Sequence, residues 1–547
     1  MKEVFTKSQK FVQEYSATIV RVGELHDIEN SDNLKKAMID GFPVVVNKND
    51  VNEGDYMIYC RNETELNSSF LSVNNMYEIG AREKNANFEE VQMLIDEGKQ
   101  DEAKAKVGYF AKTGRVKMIK LRGCPSMGVL IRLDSLVNWD PELANVKLED
   151  YVHYDDNGNF IPFDFDTVND KHFIKAYVPK INTPRSGGGH GIKKDKTKKF
   201  DRMVDGEFIF HYDTNQLQSN MWKLNPFVEI WASVKCHGTS FVMGNVLVKK
   251  PTIMNKLRDM INVFSDTRIK KCDKKIRLID KLIDVDVTTD LNREKYSIKK
   301  LDLEKKKTRI ENRKITKFDT EYYDVYSSRT VIKNRYINKQ VNSGFYSVDV
   351  WGDYHNLLKG KIPENVTIYG EIVGWVTDQD KMIQKNYDYG CKKGENKLMI
   401  YRINEKMDDG THREYEIDEV MDFTERLVAT YPEISDRIMK YPLLYHGKLS
   451  DLYPHINTAN HWNENVLEAM KNDKEHFGME ENEPLCKFKV PREGICIRIA
   501  NDPVKECFKL KTLAFRAAEQ KLIDAGQVDI EMADNYASNE EEGNGEA

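Results

Sequence analysis

Residues 231–241 read WASVKCHGTSF and are the stretch from which the rest of the chain can be interpreted. An apolar run leads directly into Lys235, and Gly238 and two hydroxyl residues follow before Phe241. A lysine at the end of an apolar strand is unusual for an ordinary surface position. Short KxxG patterns are common by chance, so the longer KxHGTSF form carries the prediction that a strand delivers this amine to a site.

Further short patterns follow in a fixed order. Each has an ordinary explanation when it is taken alone, such as a solvated strand end or a core aromatic side chain. Lys509 and Lys511 stand at period two, so their ammonium groups point to the same face of a strand. The patterns are SSR at 327–329, YGE at 369–371, LMIYRI at 398–403, REGICIR at 492–498 and FKLK at 508–511. Together they indicate that these residues belong to one site.

This ordered set resembles the covalent nucleotidyltransferase superfamily of ATP-dependent ligases and capping enzymes. The KxHGTSF form is similar to the RNA ligase 2 group, because His237 stands where DNA ligases and capping enzymes usually carry aspartate. Residues 114–130, GRVKMIKLRGCPSMGVL, resemble a segment of the N-terminal OB domain of Naegleria-type RNA ligases. The resemblance covers both large segments of the chain, but neither residues 249–317 nor the C-terminal tail.

The resemblance implies a role for each matching residue. Lys235 is the nucleophile, and a lysine of ordinary pKa near 10.4 must be activated by desolvation or neighbouring positive charge. Glu493 helps to hold a divalent metal, Mg²⁺ or Mn²⁺, and is counted with Lys235, Lys509 and Lys511 as catalytic. Glu371 binds the ribose hydroxyls, Tyr401 stacks on adenine, and Arg329 contacts the ribose or the 3′-OH end. The implied ATP-binding residues are Lys235, Gly238, Arg329, Glu371, Tyr401, Lys509 and Lys511.

The first part of the chain is β-rich. Alternating or β-branched runs predict strands, a helix is predicted over 91–106, and residues 114–134 predict two short strands around a Gly/Pro/Ser turn. Several short strands with one helix match a small Greek-key barrel such as an OB fold. The predicted N-terminal strands are 16–24, 42–46 and 55–60.

The predicted fold class is α+β. With the resemblance, we expect an N-terminal OB-fold β-barrel domain, followed by an adenylyltransferase domain with an ATP-grasp-like ligase core of antiparallel sheets and helices. The strands predicted in this second domain are 227–233, 241–248, 366–373, 398–403 and 495–500, and the helices are 420–429 and 513–525. The predicted domains are the OB fold at 1–180, a flexible glycine- and lysine-rich linker at 181–204, the nucleotidyltransferase domain at 205–527 with a helical insertion at 249–317, and an acidic disordered tail at 528–547.

Two basic surfaces could contact nucleic acid. The insertion is predicted to be a helical hairpin, and residues 266–317 contain 18 Lys and Arg against 10 Asp and Glu. That charge could be a solvated face or an arm that contacts phosphates. In the OB segment, the candidate nucleic-acid-binding residues are Lys117, Lys120, Arg122 and Ser126, and a solvated strand edge is the alternative.

Composition narrows the class of protein. The 547 residues are 40% hydrophobic and 31% charged, with a net charge of −6, which suits two or three soluble domains. No apolar run approaches the roughly 18 residues that span a bilayer, and no signal peptide is evident. Eight scattered cysteines without a CxxC pair predict a reducing, cytoplasmic location and no zinc site. No membrane and no protein partner is implied.

The resemblance implies an ATP-dependent RNA ligase that seals 3′-OH and 5′-phosphate RNA ends, with RNA repair at nicks as its expected role. The reaction implied passes through lysyl-AMP and RNA-adenylate. A DNA ligase or an mRNA capping guanylyltransferase is one alternative, although the KxHG form and the short sequence after Lys511 argue against both. A catalytically dead nucleic-acid-binding protein is a second hypothesis, and the intact set of motif residues argues against it. The OB-like N-terminus alone suggests a third, a tRNA-binding accessory protein.

Overall fold

The structure is a computed structural model that describes residues 3–9, 11–154, 160–178, 200–212, 214–283, 290–329, 331–334, 348–458 and 462–525. The predicted acidic tail and residues 181–199 of the predicted linker lie outside the described residues.

The N-terminal part of the chain consists of short strands with a few helices. Its helices are α1 Ser68–Val73, α2 Phe88–Asp96, α3 Gln100–Ala105 and α4 Leu133–Trp139, with 3₁₀ turns at Gln13–Tyr15, Ile79–Lys84, Pro141–Asn145 and Leu148–Tyr151. Its strands are β1 Phe5–Thr6, β2 Ala17–Arg21, β3 Leu25–Asp27, β4 Leu34–Ile39, β5 Phe42–Asn47, β6 Tyr56–Cys60, β7 Thr64–Leu66, β8 Arg115–Val116, β9 Ile119–Leu121, β10 Cys124–Ser126, β11 Val129–Ile131, β12 His153–Tyr154, β13 Phe160–Ile161, β14 Phe163–Phe165, β15 Thr167–Val168, β16 Lys171–His172 and β17 Ile174–Ala176.

These strands do not close into one barrel within the described residues. They form separate small sheets, of which the largest has the order β11-β6-β2-β14 and another the order β3-β4-β5. The segment that leads into β11 is linked to the β3-β4-β5 sheet by single hydrogen bonds, since Met127 N donates to Pro43 O at 2.7 Å and Val45 N donates to Ser126 Oγ of β10 at 2.9 Å. The predicted β-rich domain is therefore present, but its strands are split among several sheets.

Two local predictions in this domain were wrong. The helix predicted over 91–106 is divided into α2 and α3, because Gly98 adopts a φ of 78° that a helix cannot contain. The segment 114–134 holds four short strands, β8 to β11, and its hairpin turn lies at Arg122 and Gly123.

The second part of the chain combines long strands with helices. Its helices are α5 Ile253–Ile283, α6 Asp290–Glu311, α7 Val350–Leu358, α8 Ile417–Thr430, α9 Leu449–Leu452, α10 Trp462–Asn472 and α11 Leu513–Asp524, with 3₁₀ turns at Gln218–Lys223 and Pro432–Arg437. Its strands are β18 Asn215–Gln216, β19 Glu229–Val234, β20 Thr239–Lys249, β21 Thr320–Ser327, β22 Val366–Gly374, β23 Asn396–Lys406, β24 His412–Glu414, β25 Ile438–Met439, β26 Leu443–Lys448, β27 Gly494–Ile499 and β28 Cys507–Lys511.

Two mainly antiparallel sheets form the framework of this domain. One has the order β18-β28-β27-β19-β26, and the other has the order β21-β20-β22-β23-β24 with β25 added to β23. The chain passes from the first sheet to the second between β19 and β20, which is the segment that contains Lys235. Apolar side chains from both sheets, among them Val234, Val373 and Met399, pack together beneath this crossing. The predicted strands and helices of this domain are confirmed, with small shifts at their ends.

The predicted helical insertion is confirmed as the antiparallel pair α5 and α6, inserted between β20 and β21. Polar residues of α5 face the body of the domain, since Asn255 and Asn262 bond to the main chain of Asp319 and Ile315. The opposite face is apolar and exposed, with Ile253, Leu257, Met260, Ile261 and Phe264 on it. Within the described chain, no helix combines the length and the apolar character that a membrane crossing requires.

Candidate active site

Lys235 follows the last residue of β19 and is held by the neighbouring strand. Val234 pairs with Ile495 of β27, and Lys235 N donates to Gly494 O at 2.9 Å. This register places the Lys235 side chain beside the residue that precedes β27, which is Glu493. Lys235 Nζ lies 2.8 Å from Glu493 Oε1.

Gly238 lies where the chain turns from β19 into β20 and passes close to β22. Gly238 N donates to Glu371 Oε1 at 2.9 Å, and a Cβ at position 238 would lie 2.3 Å from Ile372 O. Only glycine allows this approach, since real Cβ atoms do not come so near a carbonyl oxygen. The glycine of the KxxG pattern therefore lets the main chain bind the glutamate of the YGE pattern directly.

Lys509 and Lys511 project from β28, the strand next to β27. Their registers with Cys496 and Gly494 place them on the same face, as period two predicts. Lys511 Nζ lies 3.3 Å from Glu493 Oε1 and 3.2 Å from Glu519 Oε1. Lys511 thus lies level with Lys235 across β27, and Lys509 lies two residues earlier on the same strand.

Opposite charges compensate one another around Glu493, whose side chain is almost fully buried. Burial opposes ionisation, but Lys235 and Lys511 lower the pKa of Glu493 to about 2. Although burial acts in the other direction, Glu519 and Glu493 raise the pKa of Lys511. Burial lowers the pKa of His237, whose ring packs edge-on between Tyr387 and Phe515. Glu493 is therefore a carboxylate, and His237 is neutral, near neutral pH.

A cavity of about 990 Å³ brings the predicted residues together at the junction of the two domains. It lies within the range of small-molecule sites in proteins, which are usually about 300–1,000 Å³. The predicted residues in its lining are Lys235, Arg329, Glu371, Tyr401, Glu493, Lys509 and Lys511, and Gly238 lies just behind them.

A divalent cation would fit next to Glu493. Its second oxygen, Oε2, is buried and accepts no hydrogen bond from any described residue. No group of three or more metal-ligating side chains is found among the described residues. A single carboxylate suits Mg²⁺ or Mn²⁺ in a nucleotide site, because Mg²⁺ keeps several waters and takes its other ligands from substrate phosphates.

Arg402, which the motif analysis left without a role, forms part of a buried charge cluster. Its guanidinium and that of Arg498 each lie 2.9 Å from Glu414 Oε1, and all three side chains are largely buried. Arg402 also packs over the Tyr212 ring, 4.3 Å from its centroid. Both arginines reach the cavity lining, so the cluster adds positive charge beside Tyr401. The one available sequence signal was an arginine within an apolar strand.

The N-terminal domain contributes residues that no motif identified. Glu14 lines the same cavity, and its Oε2 lies 2.6 Å from Lys509 Nζ. The two domains also meet at the C-terminal helix, where Arg115 pairs with Asp524 at 2.6 Å and Met118 N donates to Gln520 Oε1 at 2.7 Å. No sequence signal identified Glu14, because only the docking of the domains places it here.

The residues proposed for nucleic-acid contact divide into two groups. Lys117, Lys120 and Arg122 are exposed on the segment around β9 and its turn. Ser126 is 3% exposed, and its hydroxyl accepts the hydrogen bond from Val45 N, so it cannot lie on the same surface. Its role is to link β5 to β10, and the prediction that it contacts nucleic acid is not supported.

Comparisons with known proteins extend this description. A family model described as an OB-fold domain matches residues 16–95, which confirms the predicted N-terminal OB fold. No curated protein matches the sequence.

Solved structures similar to this chain include Naegleria gruberi RNA ligases. One is a point mutant with ATP and Mn, 15% identical, with a TM-score of 0.45 over 92% of this chain and 99% of that chain. Another is the ligase with PPi, 14% identical, with a TM-score of 0.44 over 93% of this chain and 100% of that chain. A third is a mutant with AMP and Mn, 14% identical, with a TM-score of 0.43 over 92% of this chain and 98% of that chain. The chain is α+β with an N-terminal OB-fold domain, and it is similar to Naegleria RNA ligases at low sequence identity.

Proposed function

We propose that this protein is an ATP-dependent RNA ligase that joins 3′-OH and 5′-phosphate ends. The observation that carries the proposal is the convergence on one cavity of Lys235, Glu371, Glu493, Lys509 and Lys511, which the motif order predicts as a set. Chance placement of unrelated surface residues would not bring them to one cavity from four different strands.

The first reaction transfers AMP to the protein. Lys235 Nζ, after losing a proton, attacks the α-phosphorus of ATP, so that a P–N bond forms and the P–O bond to pyrophosphate breaks. Lys511 and Lys509 neutralise the negative charge on the α-phosphate as it develops. Glu493 holds the Lys235 ammonium in position at 2.8 Å and would also hold the divalent cation, which supplies charge neutralisation to the phosphates.

Other residues of the cavity bind the nucleoside. Tyr401 offers an aromatic face for the adenine, and Glu371, oriented by Gly238 N, accepts hydrogen bonds from the ribose hydroxyls. Arg329 contacts the ribose or the 3′-OH end. The lysyl-AMP then passes AMP to an RNA 5′-phosphate, and the 3′-OH attacks that phosphorus and releases AMP.

The exposed residues of the OB-fold domain suit the RNA substrate. Lys117, Lys120 and Arg122 would contact backbone phosphates, and the basic hairpin of α5 and α6 would add further phosphate contacts. Repair of nicks in duplex RNA is the proposed role.

The test is covalent labelling. The purified protein is mixed with Mg²⁺ and ATP labelled at the α-phosphate, and label that survives denaturation is measured, with GTP and NAD⁺ in parallel. We expect label from ATP alone, followed by transfer to nicked RNA. Label from GTP alone would favour a capping enzyme, and absence of label from every donor with folded, AMP-free protein would contradict the proposal.

A further inference from the structure

The connection between β22 and β23, residues 375–395, contacts the turn of residues 236–238 that follows Lys235. Two of its side chains bond to the main chain of that turn. The Tyr389 hydroxyl accepts a hydrogen bond from His237 N at 2.6 Å, and Gln384 Nε2 donates to Gly238 O at 2.8 Å. Both side chains are buried, and neither lines the cavity. The connection therefore holds the turn without taking part in the cavity wall.

The glutamate of the YGE pattern supplies a third contact to the same turn. Gly238 N donates to Glu371 Oε1 at 2.9 Å, so three polar groups of the turn, His237 N, Gly238 N and Gly238 O, are each bonded to a side chain. All three side chains come from one continuous stretch, residues 371–389. A buried polar group that loses its partner costs about 1–3 kcal/mol. The turn is thus fixed at three points by a segment that is distant in sequence.

The same connection also bonds to the segment that leads to Glu493. Tyr387 OH donates to Pro491 O at 2.8 Å, two residues before Glu493. Tyr387 and Tyr389 therefore bond to opposite partners of the reacting pair, one on the Glu493 side and one on the Lys235 side. The contact between Lys235 Nζ and Glu493 Oε1, 2.8 Å long, depends on the spacing that this connection sets.

The backbone of Tyr389 has a conformation that bulky residues seldom adopt. Its φ is 44°, in the left-handed region, and Gly390 follows with a φ of 71°. Such a conformation costs on the order of 1–3 kcal/mol and persists only where the surrounding structure holds it. Tyr389 belongs to the same apolar cluster as Val234 and Cys236, the two residues on either side of Lys235. Packing against the nucleophile strand and the bond from the turn thus hold Tyr389 in place.

We propose that Tyr389 and Gln384 are positioning residues for the transfer of AMP to Lys235. They fix the turn that begins one residue after Lys235, so that the amine stays beside Glu493 and in line with the α-phosphate. A displacement of about 1 Å at a reacting atom can lower a rate by roughly two orders of magnitude. The proposal rests on the proposed function for the reaction, but not for the contacts that fix the turn.

The test compares Tyr389→Phe and Gln384→Met with the unaltered full-length protein. Each change keeps most of the side-chain volume and removes one hydrogen-bonding group. At saturating ATP we expect the rate of AMP labelling to fall about tenfold, whereas the ATP concentration that gives half the maximal rate changes less than about threefold. The matched control is Tyr354→Phe, because Tyr354 is a buried tyrosine of the same domain whose hydroxyl donates to Arg437 O at 3.4 Å, away from the cavity. Its labelling should be normal.

Hydrogen exchange gives a second readout that needs no activity. Peptides containing residues 236–238 should exchange about tenfold faster in Tyr389→Phe than in the unaltered protein, because the bond to His237 N is lost. The same peptides should be unchanged in Tyr354→Phe.

Each result has a definite meaning. Unchanged exchange at the turn, an unchanged labelling rate, or an equal loss of rate in Tyr354→Phe would overturn the proposal. A higher half-saturating ATP concentration at an unchanged maximal rate would overturn it too, since the residues would then act on ATP binding. If Tyr389→Phe does not fold, the same two measurements on Gln384→Met decide. Faster exchange at the turn in an unaltered background that takes no label from any donor would overturn the proposed function and support the contacts of the turn.

Discussion

Lys235 Nζ lies 2.8 Å from Glu493 Oε1, although the two residues are far apart in the sequence. The pairing of β19 with β27 produces this contact, because Lys235 leaves the first strand where Glu493 enters the second. The carboxylate is almost fully buried and also meets Lys511 at 3.3 Å. Two ammonium groups thus share one carboxylate, and Lys511 also meets Glu519 at 3.2 Å, so the charges of these four side chains balance.

Replacement of Lys235 should abolish transfer of AMP to the protein. We expect Lys235→Ala and Lys235→Arg to retain less than about one-thousandth of the labelling rate, because neither can supply the amine that forms the P–N bond. The measurement is retention of radioactive AMP after denaturation. Lys487→Ala, a change at an exposed lysine, is the control and should label normally. Labelling of Lys235→Ala at the normal rate would exclude this residue as the nucleophile.

Replacement of Glu493 should lower the stability of the folded protein, and the size of this loss should depend on pH in a defined direction. Glu493→Gln leaves two lysines without their shared carboxylate, and the free energy of unfolding should fall by about 3 kcal/mol. Because the pKa of Glu493 is about 2 in the folded protein and about 4.5 when unfolded, its contribution is complete above pH 4.5 and is lost as the pH falls towards 2. Urea unfolding of both proteins at several pH values should show their difference shrinking over that interval. If the difference in unfolding free energy between the two proteins stays constant with pH, the Glu493 carboxylate is excluded as the source of that difference.

Gly238 should not tolerate a side chain. The added Cβ in Gly238→Ala would meet Ile372 O at 2.3 Å and push β22 away, with a loss of about 1–3 kcal/mol in unfolding free energy and most of the labelling. Gly23→Ala is the control, because a Cβ there would meet no atom within 4 Å. Thermal unfolding and labelling of both variants provide the comparison. Equal stability of the two variants would show that the close approach at Gly238 is relaxed in solution.

The exposed cations of the OB-fold domain should contribute to RNA binding but not to the reaction with ATP. The triple change Lys117→Ala, Lys120→Ala and Arg122→Ala should weaken binding of nicked RNA. It should also flatten the slope of log affinity against log salt concentration by an amount that corresponds to up to about three phosphate contacts. AMP labelling should be unchanged, because these side chains lie outside the cavity. Binding titrations between about 50 and 200 mM salt measure the slope. An unaltered slope would leave these residues as an ordinary solvated strand edge.

The basic hairpin should also contribute to the salt dependence of RNA binding. Lys270, Lys271, Lys274 and Lys275 are exposed on α5, and their replacement by alanine should flatten the slope of log affinity against log salt concentration. The same titrations apply, with labelling by ATP as the control for folding. A slope equal to that of the unaltered protein would show that this charge is only a solvated helix face.

The candidate site was predictable where its chemistry depends on short patterns. Lys509 and Lys511 share a face because side chains alternate along a strand. The glycine of KxxG is needed because the main chain has no space there for a side chain. The ordering of the patterns then predicted which distant residues meet. The roles of these residues stay predictions until the experiments above are done.

Several features had no local cause and were missed or misplaced. Ser126 is a polar residue in a polar segment, and its burial follows from the hydrogen bond that it accepts from Val45 N on another strand. Arg402 received no role from its motif, because its partner Glu414 and the second arginine of the cluster belong to different strands. The division of the predicted helix 91–106 differs from these, because its cause, the glycine at position 98, is local.

Local sequence was enough to predict the strand that carries Lys235, the glycine that follows it, the paired lysines and the helical insertion. Each of these depends on residues within a few positions of one another, where backbone geometry and side-chain alternation act directly. By contrast, the contact of Lys509 with Glu14 at 2.6 Å and the packing of Arg516 on Phe42 follow from the docking of the two domains. Such contacts arise where two distinct hydrophobic cores meet, so the positions of the charges depend on the complementarity of whole surfaces and not on the local chain.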